Sequence, residues 1–253
     1  MQHTSTPNSS DHKRPPIKPI ALGLAIALAA SFSWESIALA QEYVPPPNVG
    51  IPGRRRAAGT RAPSCVTGDI PLTALQPENS YGLKIGESPT WFWYKPETSV
   101  TTAEFSLLDA AGNPVYETTL SLPAEAQIVS FTLPEAVSIA ADAEYQWYFS
   151  IVCNPDDRAQ DIFTEGWIRS VALSPALLEE LASDTDEVSP ESAAANGFWY
   201  DALFAIAAQR RQPSPFDSSA ETAWRSLLES VDLGDLADVP LSETDLSVPP
   251  AQP

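Results

Sequence analysis

Four carboxylates between residues 156 and 165 are the side chains of this sequence best placed for catalysis: Asp156, Asp157, Asp161 and Glu165. Two carboxyl groups suffice to hydrolyse a glycosidic bond when they stand roughly 5–9.5 Å apart, one acting as acid and the other as base or nucleophile. The same stretch also suits a structural role, because Asn154–Pro155–Asp156–Asp157 has the composition of a turn and Arg158 offers a local ion-pair partner. The chain contains 33 Asp and Glu residues, so such clusters also arise by chance. A carboxylate-only glycoside hydrolase is therefore an alternative hypothesis.

The first forty residues predict a secretory signal peptide. A basic stretch ending at Lys18 precedes the uncharged segment 20–34, and Ala38-Leu39-Ala40 is a small-residue cleavage site. The apolar segment is shorter than the roughly 20 residues that span a bilayer. We expect cleavage after Ala40 and export to the periplasm or the outside, with an uncleaved N-terminal anchor as the alternative. No later segment is long and apolar enough to suggest an integral membrane span.

Cleavage would leave a chain whose composition excludes most catalytic arrangements. Both histidines precede residue 41, as do three of the 14 Lys and Arg and two of the 33 Asp and Glu, which leaves 11 basic and 31 acidic side chains and a net charge of −20. Without histidine, neither a Ser-His-Asp triad nor a His-ligated zinc site can form. Glycine motifs for phosphates or dinucleotides are absent from the sequence. We expect no catalytic residue, no cofactor and no metal, and no nucleic-acid partner, since this charge repels polyanions.

Two further sites have weak support in the sequence. Ser80 and Lys84 lie close enough in sequence for a Ser–Lys dyad, but nothing around them favours one. The acidic stretch 184–187 could attract calcium, although it lacks the twelve-residue EF-hand pattern with its glycine. We expect an ordinary surface lysine and a loop.

The two cysteines, Cys65 and Cys153, predict a disulfide. An even cysteine count in an exported chain favours pairing, because oxidising compartments leave few cysteine pairs unpaired. In the chain-entropy model, closing a loop of about 90 residues contributes roughly 4–5 kcal/mol. Two unrelated reduced thiols are the alternative.

Residues 41–62 form an arm that is rich in Pro, Gly and Arg. Arg54, Arg55, Arg56 and Arg61 lie within eight residues of one another, and the composition around them cannot build a core. We expect a flexible basic arm. It serves either as a solvated tether or as a contact to an acidic partner or to the acidic body of the same protein.

Short alternating strands dominate residues 63–173. The clearest is EYQWYFSIVC, residues 144–153, in which Tyr145, Trp147 and Phe149 share one face while Gln146 and Tyr148 share the other. Six or seven such strands, separated by turns, are typical of an antiparallel β-sandwich of immunoglobulin or fibronectin type. The predicted fold is mainly β with α, because a helical extension follows the sandwich.

The stretch TWFWYKP, residues 90–96, raises the question of a ligand platform. Strand alternation points Trp91 and Trp93 one way and Phe92 and Tyr94 the other. One pair faces the core, and the other is either an exposed stacking surface or is covered by the C-terminal helices. Coverage is the expected outcome, since large exposed aromatic patches are uncommon on monomers.

After residue 173 the hydrophobic period changes to that of helices. We expect a helical extension over residues 174–235, packed on the sandwich. It comprises a helix that begins at Ser174–Pro175, a loop over residues 183–196, a helix over 197–211, and a helix opened by a capping box from Ser218 to Glu221. Residues 236–253 are Pro-rich and predict a disordered tail.

Several strings in the chain resemble a cyanobacterial family catalogued as domain of unknown function 928. The most specific are WYFSIVCNPDDR (147–158) and EGWIRSV (165–171), and the resemblance extends from about residue 53 to 233. It implies an exported cyanobacterial protein and assigns no catalytic residues. It also suggests that the following residues belong to the family pattern: Arg54, Arg61, Cys65, Cys153, Asp157, Arg158, Glu165, Gly166 and Trp167.

The leading functional hypothesis is an exported, non-enzymatic binding or structural module. Its partner would be a protein or an envelope glycan, and a glycan-binding module would use exposed tryptophans such as Trp91, Trp93 or Trp199 as a platform. The candidate binding residues are Arg54, Arg61, Asp157, Arg158, Glu165 and Trp167.

Overall fold

The computed structural model describes residues 42–47, 53–57, 65–79, 81–86, 88–172, 174–182, 188–212 and 218–249. This part of the chain is mainly β, with the strands preceding the helices. The strands are β1 Val66–Thr67, β2 Thr73–Ala74, β3 Gly82–Ile85, β4 Thr90–Lys95, β5 Glu97–Thr98, β6 Thr102–Asp109, β7 Pro114–Ser121, β8 Gln127–Thr132, β9 Glu144–Ile151 and β10 Ile162–Val171. The helices are α1 Pro175–Leu181, α2 Pro190–Ala195, α3 Trp199–Arg210 and α4 Ser219–Glu229, with 3-10 turns at Arg158–Gln160 and Gly234–Leu236.

The largest sheet has five strands in the order β3-β10-β9-β6-β7. Its four long strands pair antiparallel, as the sequence predicts. β3 departs from the expected all-antiparallel arrangement, because it runs parallel to β10 with Gly82 opposite Ile168. Parallel neighbours need a long crossover, and here all of β4 to β9 lies between the two strands.

A second sheet, with the order β2-β4-β8, faces the first, and a small β1-β5 sheet lies beside them. Trp93 stacks on Phe149 of β9 with ring centroids 4.2 Å apart, and Trp91 packs against Phe105 of β6 at 4.7 Å. Aromatic pairs of this kind add about 0.5–1.5 kcal/mol each beyond their buried area. The aromatic core therefore lies between the two sheets.

The aromatic run in β4 is buried on both of its faces. Trp91 and Trp93 point toward the five-stranded sheet, whereas Phe92 and Tyr94 point away from it and are only 2% and 7% exposed. Phe92 meets Trp224 of α4 at 6.5 Å in an edge-on arrangement. Coverage by the C-terminal helices is thus confirmed, and a ligand platform at Trp91 and Trp93 is wrong.

The helix α3 contacts both large sheets. The Trp199 indole N–H donates to the Leu75 carbonyl, just after β2, at 2.8 Å. The next residue, Tyr200, accepts from the Trp147 indole N–H of β9 at 3.2 Å. Gly82 of β3 gives the helix room, because a Cβ there would lie 2.5 Å from the Trp199 Cβ. The predicted packing of a helix against the strands is therefore present.

Two details of the helical region differ from the expectations. A helix, α2, occupies part of the expected loop; Ser189 caps it by accepting from the Ser192 amide, and a proline fills its first turn. The expected capping box of α4 does not form. Ser218 makes no side-chain cap bond, and the Glu221 carboxylate pairs with Arg210, 2.9 Å away.

The expected flexible arm is part of the fold over residues 53–57. The Arg54 carbonyl accepts from the Glu165 amide of β10 at 3.1 Å, while the Arg55 side chain is 7% exposed and donates to the Val231 carbonyl at 2.6 Å. These contacts correct the arm prediction, since the backbone and guanidinium groups find fixed partners within the same chain. The contact to the acidic body of the protein, one of the expected roles, is thus present.

The same segment joins the two sheets. Arg56 forms an antiparallel bridge with Thr73 of β2, and its guanidinium donates to both carboxylate oxygens of Asp235 at 3.1 and 3.2 Å. Gly53 permits the approach to β10, because a Cβ there would lie 2.1 Å from the Glu165 carbonyl oxygen. Residues 53–57 therefore lie between β10 of one sheet and β2 of the other.

The expected disordered tail is wrong over residues 236–249. Leu241 forms a parallel bridge with Ile128 of β8, and the Asp245 carboxylate accepts from the Ser130 and Thr132 hydroxyls, each at 2.5 Å. Covered hydroxyls need hydrogen-bond partners, and Asp245 of the tail is the partner of these two hydroxyls on the outward side of β8.

The predicted disulfide joins Cys65 to Cys153, with Cα atoms 5.5 Å apart. The expected signal peptide and the acidic stretch 184–187 lie outside the described residues. None of the described helices is long and apolar enough to cross a bilayer.

Candidate binding surface

The five-stranded sheet has one face turned away from the core, which we call the outer face. Its strands alternate between buried residues and partly exposed ones, and the main helix-to-strand packing of the described chain, α3 on β3 and β4, lies elsewhere. The part of the outer face on the three central strands carries Glu104, Ser106 and Leu108 of β6, Glu144, Gln146, Tyr148 and Ser150 of β9, and Phe163, Glu165, Trp167 and Arg169 of β10.

Register fixes the neighbours on this face. Glu165 lies opposite Tyr148, which lies opposite Ser106, so these three form one row across β10, β9 and β6. Trp167 and Gln146 belong to the next row. Residues directly opposite in a sheet lie about 4.5–5.5 Å apart, so an indole, an amide, a phenol and a carboxylate share a compact patch.

Trp167 differs from the other described tryptophans. It is partly exposed, whereas the remaining five are at most 1% exposed: Trp91, Trp93, Trp147, Trp199 and Trp224. The Trp167 backbone carbonyl accepts from the Tyr200 hydroxyl at 3.3 Å, which fixes its strand over α3. Trp167 therefore offers the partly exposed indole among the described tryptophans.

The tryptophans expected as a glycan platform need a correction. Trp91, Trp93 and Trp199 are buried because β4 and α3 lie between packed layers. The alternation pattern places them correctly on one side of their elements but does not show what lies over them.

The sequence-predicted site residues converge in part on the outer face. Glu165 and Trp167 point outward from β10, and the Arg54 guanidinium lies over the Phe163 ring at 4.7 Å. Arg158 donates to Glu104 at the other end of the face, at 2.5 and 3.2 Å.

Asp157 does not join this patch. Asp157 lies in the exposed β9–β10 connection, where its carboxylate accepts from the Ala159 amide and from the Gln160 side chain. This confirms the predicted turn chemistry. Arg61 lies outside the described residues.

Gly166 lies in a regular part of β10 and not in a β-bulge. The β9–β10 register runs unbroken through the Gly166–Trp147 pair, so Glu165 and Trp167 stay on one face. The glycine is needed for packing instead, because a Cβ would lie 2.5 Å from the Trp147 ring and 2.2 Å from the Gln76 side chain.

A groove of about 540 Å³ opens at the end of the outer face next to Trp167. Asp109, Asp142, Glu144 and Arg169 line it, and Arg169 lies directly opposite Glu144. The Tyr81 hydroxyl donates to Glu144. Burial, together with this hydrogen bond and the negative charge of Glu144, raises the pKa of Tyr81 to about 12.

A smaller groove, of about 310 Å³, opens between β6 and β7 on the same face. Glu104, Ser106, Glu117 and Thr119 line it. Burial, followed by the nearby charge of Glu165, raises the pKa of the Tyr148 phenol, so it stays protonated and able to donate. The outer face thus offers hydroxyl and amide donors, carboxylate acceptors and one open indole.

The sequence alone did not single out Tyr148, Gln146 and Phe163 as binding candidates. The signal was present in the alternation, since all three lie on the strand face opposite to the buried aromatic residues of β9 and β10. A search for outward aromatic residues on adjacent strands would have found them.

The two lysines of the folded part are not surface residues, contrary to expectation for Lys84. Lys84 forms an ion pair with Asp201 of α3 at 2.7 Å, with side chains 14% and 19% exposed. Lys95 is fully buried and donates to the Pro96 and Ala124 carbonyls at 2.7 and 3.1 Å. Burial lowers the pKa of Lys95 to about 8.

Among the described residues, no three or more His, Cys, Asp or Glu side chains come together as a group that could hold a metal ion. Of the four candidate catalytic carboxylates, Asp161 pairs with Arg158 at 2.7 Å, and the Asp156 amide donates to Asn154 within the turn. These contacts are those of a structured connection.

Comparison with known protein families identifies the family of this chain. A family described as Domain of Unknown Function (DUF928) matches residues 56–241. The chain belongs to this family. The match covers both large sheets and all four helices of the DUF928 fold. Among curated proteins, none matches.

Proposed function

We propose that this DUF928 protein is an exported, non-enzymatic binding module that takes its ligand on the outer face. The observation that carries the proposal is Trp167, an indole kept partly exposed beside Tyr148 and Gln146 on a sheet face away from the helices. Leaving a large aromatic side chain at the surface forfeits hydrophobic burial, and Trp and Tyr are the residues that anchor many binding sites. A groove at each end of the patch adds shape.

The sandwich assignment belongs to the same proposal. Two sheets that meet through aromatic residues and carry alternating strands fit an immunoglobulin-like β-sandwich. The parallel β3–β10 pair is the departure from that pattern. Such a scaffold is rigid, which suits a binding face made of strands.

Export is supported by two features. The leader pattern of residues 1–40 precedes the folded part, and the Cys65–Cys153 disulfide is of a kind that persists in oxidising compartments. N-terminal sequencing of the protein from fractionated cells should find Gln41 first, in the periplasm or the medium. A chain that keeps Met1 in the cytosol with free thiols would contradict export.

The binding role is tested by capture from an envelope extract. Wild-type protein and a Trp167→Ala variant are immobilised, with Phe204→Ala as control, because Phe204 is 46% exposed on α3. We expect the wild type and the control to retain the same component and Trp167→Ala to lose it. Retention that does not depend on Trp167 would overturn the assignment to the outer face.

The non-enzymatic part has its own test. Polysaccharides incubated with the protein should release no new reducing ends. A hydrolytic activity that disappears in Glu165→Gln or Asp157→Asn would establish the glycoside hydrolase alternative instead.

A further inference from the structure

We infer that the ligand of the outer face is an uncharged polysaccharide chain that stacks on Trp167 and lies across β10 and β9. This inference rests on the proposed binding function and names the chemistry of its ligand. It draws on three properties of the face: an open aromatic ring, flanking polar groups and an excess of carboxylates.

The aromatic part fits the apolar face of a sugar ring. Trp167 offers an indole without a stacking, cation or hydrogen-bond partner for its ring among the described residues. Tyr148 lies on the neighbouring strand β9, one row from Trp167, and its ring centroid is 6.4 Å from that of Phe163. Phe163 itself is four residues from Trp167, roughly 13 Å along the strand. The Arg54 guanidinium already lies over the Phe163 ring, so Trp167 and Tyr148 on neighbouring strands are the rings on which linked sugars would stack.

The polar groups around the rings suit hydroxyl groups. Gln146, opposite Trp167, offers both an amide donor and an acceptor, and Ser106 flanks Tyr148. The Glu165 carboxylate is acceptor-only and can take hydroxyl hydrogens from a sugar. Hydrogen bonds to a charged acceptor are stronger than neutral ones.

Charge selects against acidic polymers. The outer face and its edges carry Glu104, Glu117, Glu144 and Glu165, and the whole chain has a net charge of −19. The arginines of this face offset only part of that charge: Arg158 is engaged by Glu104 and Asp161, Arg54 lies over Phe163, and Arg169 lies opposite Glu144. An anionic glycan would therefore be repelled, whereas an uncharged one can use the carboxylates as acceptors.

The same charges disfavour a protein partner. The cores of protein interfaces are depleted of charged residues. Here the charged Glu165 lies between Phe163 and Trp167 along β10 and directly opposite Tyr148 on β9. The described residues with large exposed hydrophobic side chains, Val44, Phe204 and Val248, lie off this face. A flat face with interleaved carboxylates suits a hydroxyl-rich chain better than an apolar protein surface.

The test is affinity electrophoresis in gels that contain a soluble polysaccharide. Hydroxyethylcellulose and carboxymethylcellulose share a backbone but differ in charge; galactomannan and dextran complete the neutral panel. We expect at least one neutral polymer to retard the protein and carboxymethylcellulose to retard it less than hydroxyethylcellulose.

Variants assign the binding to the face. Trp167→Ala and Tyr148→Ala should each weaken the retardation at least about tenfold, while Phe204→Ala should leave it unchanged. Trp167→Phe should retain part of the affinity, since a ring remains. Circular dichroism checks that each variant is folded.

Three outcomes would overturn the inference. They are no retardation by any neutral polymer, stronger retardation by the anionic polymer, and retardation that survives Trp167→Ala. If the envelope capture still depends on Trp167 but retains a protein and no glycan, the glycan inference fails and the binding module stands. If neither depends on Trp167, both fail.

Discussion

The outer face of the three-stranded sheet is covered, whereas the outer face of the five-stranded sheet stays partly exposed. On the covered face, Phe92 lies under Trp224 of α4, and Ser130 and Thr132 are bonded to Asp245 of the tail. On the open face, Tyr148, Glu165 and Trp167 have strand neighbours, and the main strand contacts of the described helices lie on β3 and β4.

This difference separates two uses of the same sequence pattern. Both sheets present polar and aromatic side chains on alternate positions, and in both the inward residues form the core. On the covered face, the polar groups are satisfied within the chain, so they contribute to stability. On the open face, they are left for solvent or a ligand, so substitutions there should change binding and barely change stability.

The largest expected contrast is between two tryptophans. Trp224→Ala should lower the free energy of unfolding by about 3–5 kcal/mol, because a fully buried indole is removed and a cavity remains. Trp167→Ala should cost less than about 1 kcal/mol, as expected for a partly exposed site. Urea unfolding measures both. Equal losses would show that the two faces are equally buried.

A second contrast compares two carboxylates. Asp245→Ala should cost about 2 kcal/mol, because the Ser130 and Thr132 hydroxyls and Arg211 all lose their acceptor. Glu117→Ala on β7 should have an effect within about 0.5 kcal/mol. Limited proteolysis should also cut the tail faster in the Asp245 variant. An unchanged cleavage rate would indicate that the tail is held by other contacts.

Lys95 reports on burial in the space between the two sheets. Its pKa is lowered to about 8 from an ordinary value of 10.5. Between these values the unfolded chain holds a proton that the folded protein has released, so stability rises with pH. We expect a gain on the order of 1–2 kcal/mol from pH 7.5 to 10. Lys95→Met should abolish this rise. A wild-type curve that is flat over the same range would argue against a buried amine.

The smallest effect is expected for the Arg158–Glu104 pair on the open face. Hydrogen bonds that Arg158 donates to Glu104 and Asp161 raise the pKa of Arg158, yet the Arg158 and Glu104 side chains are 49% and 40% exposed. Exposed ion pairs contribute about 0–1 kcal/mol. A double-mutant cycle with Arg158→Met and Glu104→Gln should find a coupling within that range. A larger coupling would mean that this end of the face is structurally fixed.

Local patterns predict much of this architecture. Alternation in residues 144–153 and 162–171 gives both the strands and their faces, and Ser174–Pro175 gives a helix start. The same Ser-Pro signal occurs at Ser189–Pro190, but the small and acidic residues around it favour a loop, so the local pattern does not predict α2. The cysteine count gives the disulfide.

Contacts between distant segments are what the sequence does not predict. The pairing of β3 with β10 and the binding of Asp245 to Ser130 each join residues more than 80 positions apart. The partial exposure of Trp167 and the burial of Trp91 depend on such contacts, because alternation fixes which way a side chain points but not what lies beyond it. The candidate site was therefore predicted in part, as Glu165 and Trp167, without Tyr148 and Gln146 beside them.

The three-stranded sheet is flanked on both sides by the two ends of the folded chain. Arg56 pairs with β2 on one side, and Leu241 pairs with β8 on the other. Because a chain is synthesised from its amino end, the β8 edge of this sheet cannot be paired until Leu241 has left the ribosome. A chain that stops before this residue would carry an unpaired β8 edge open to attack by proteases.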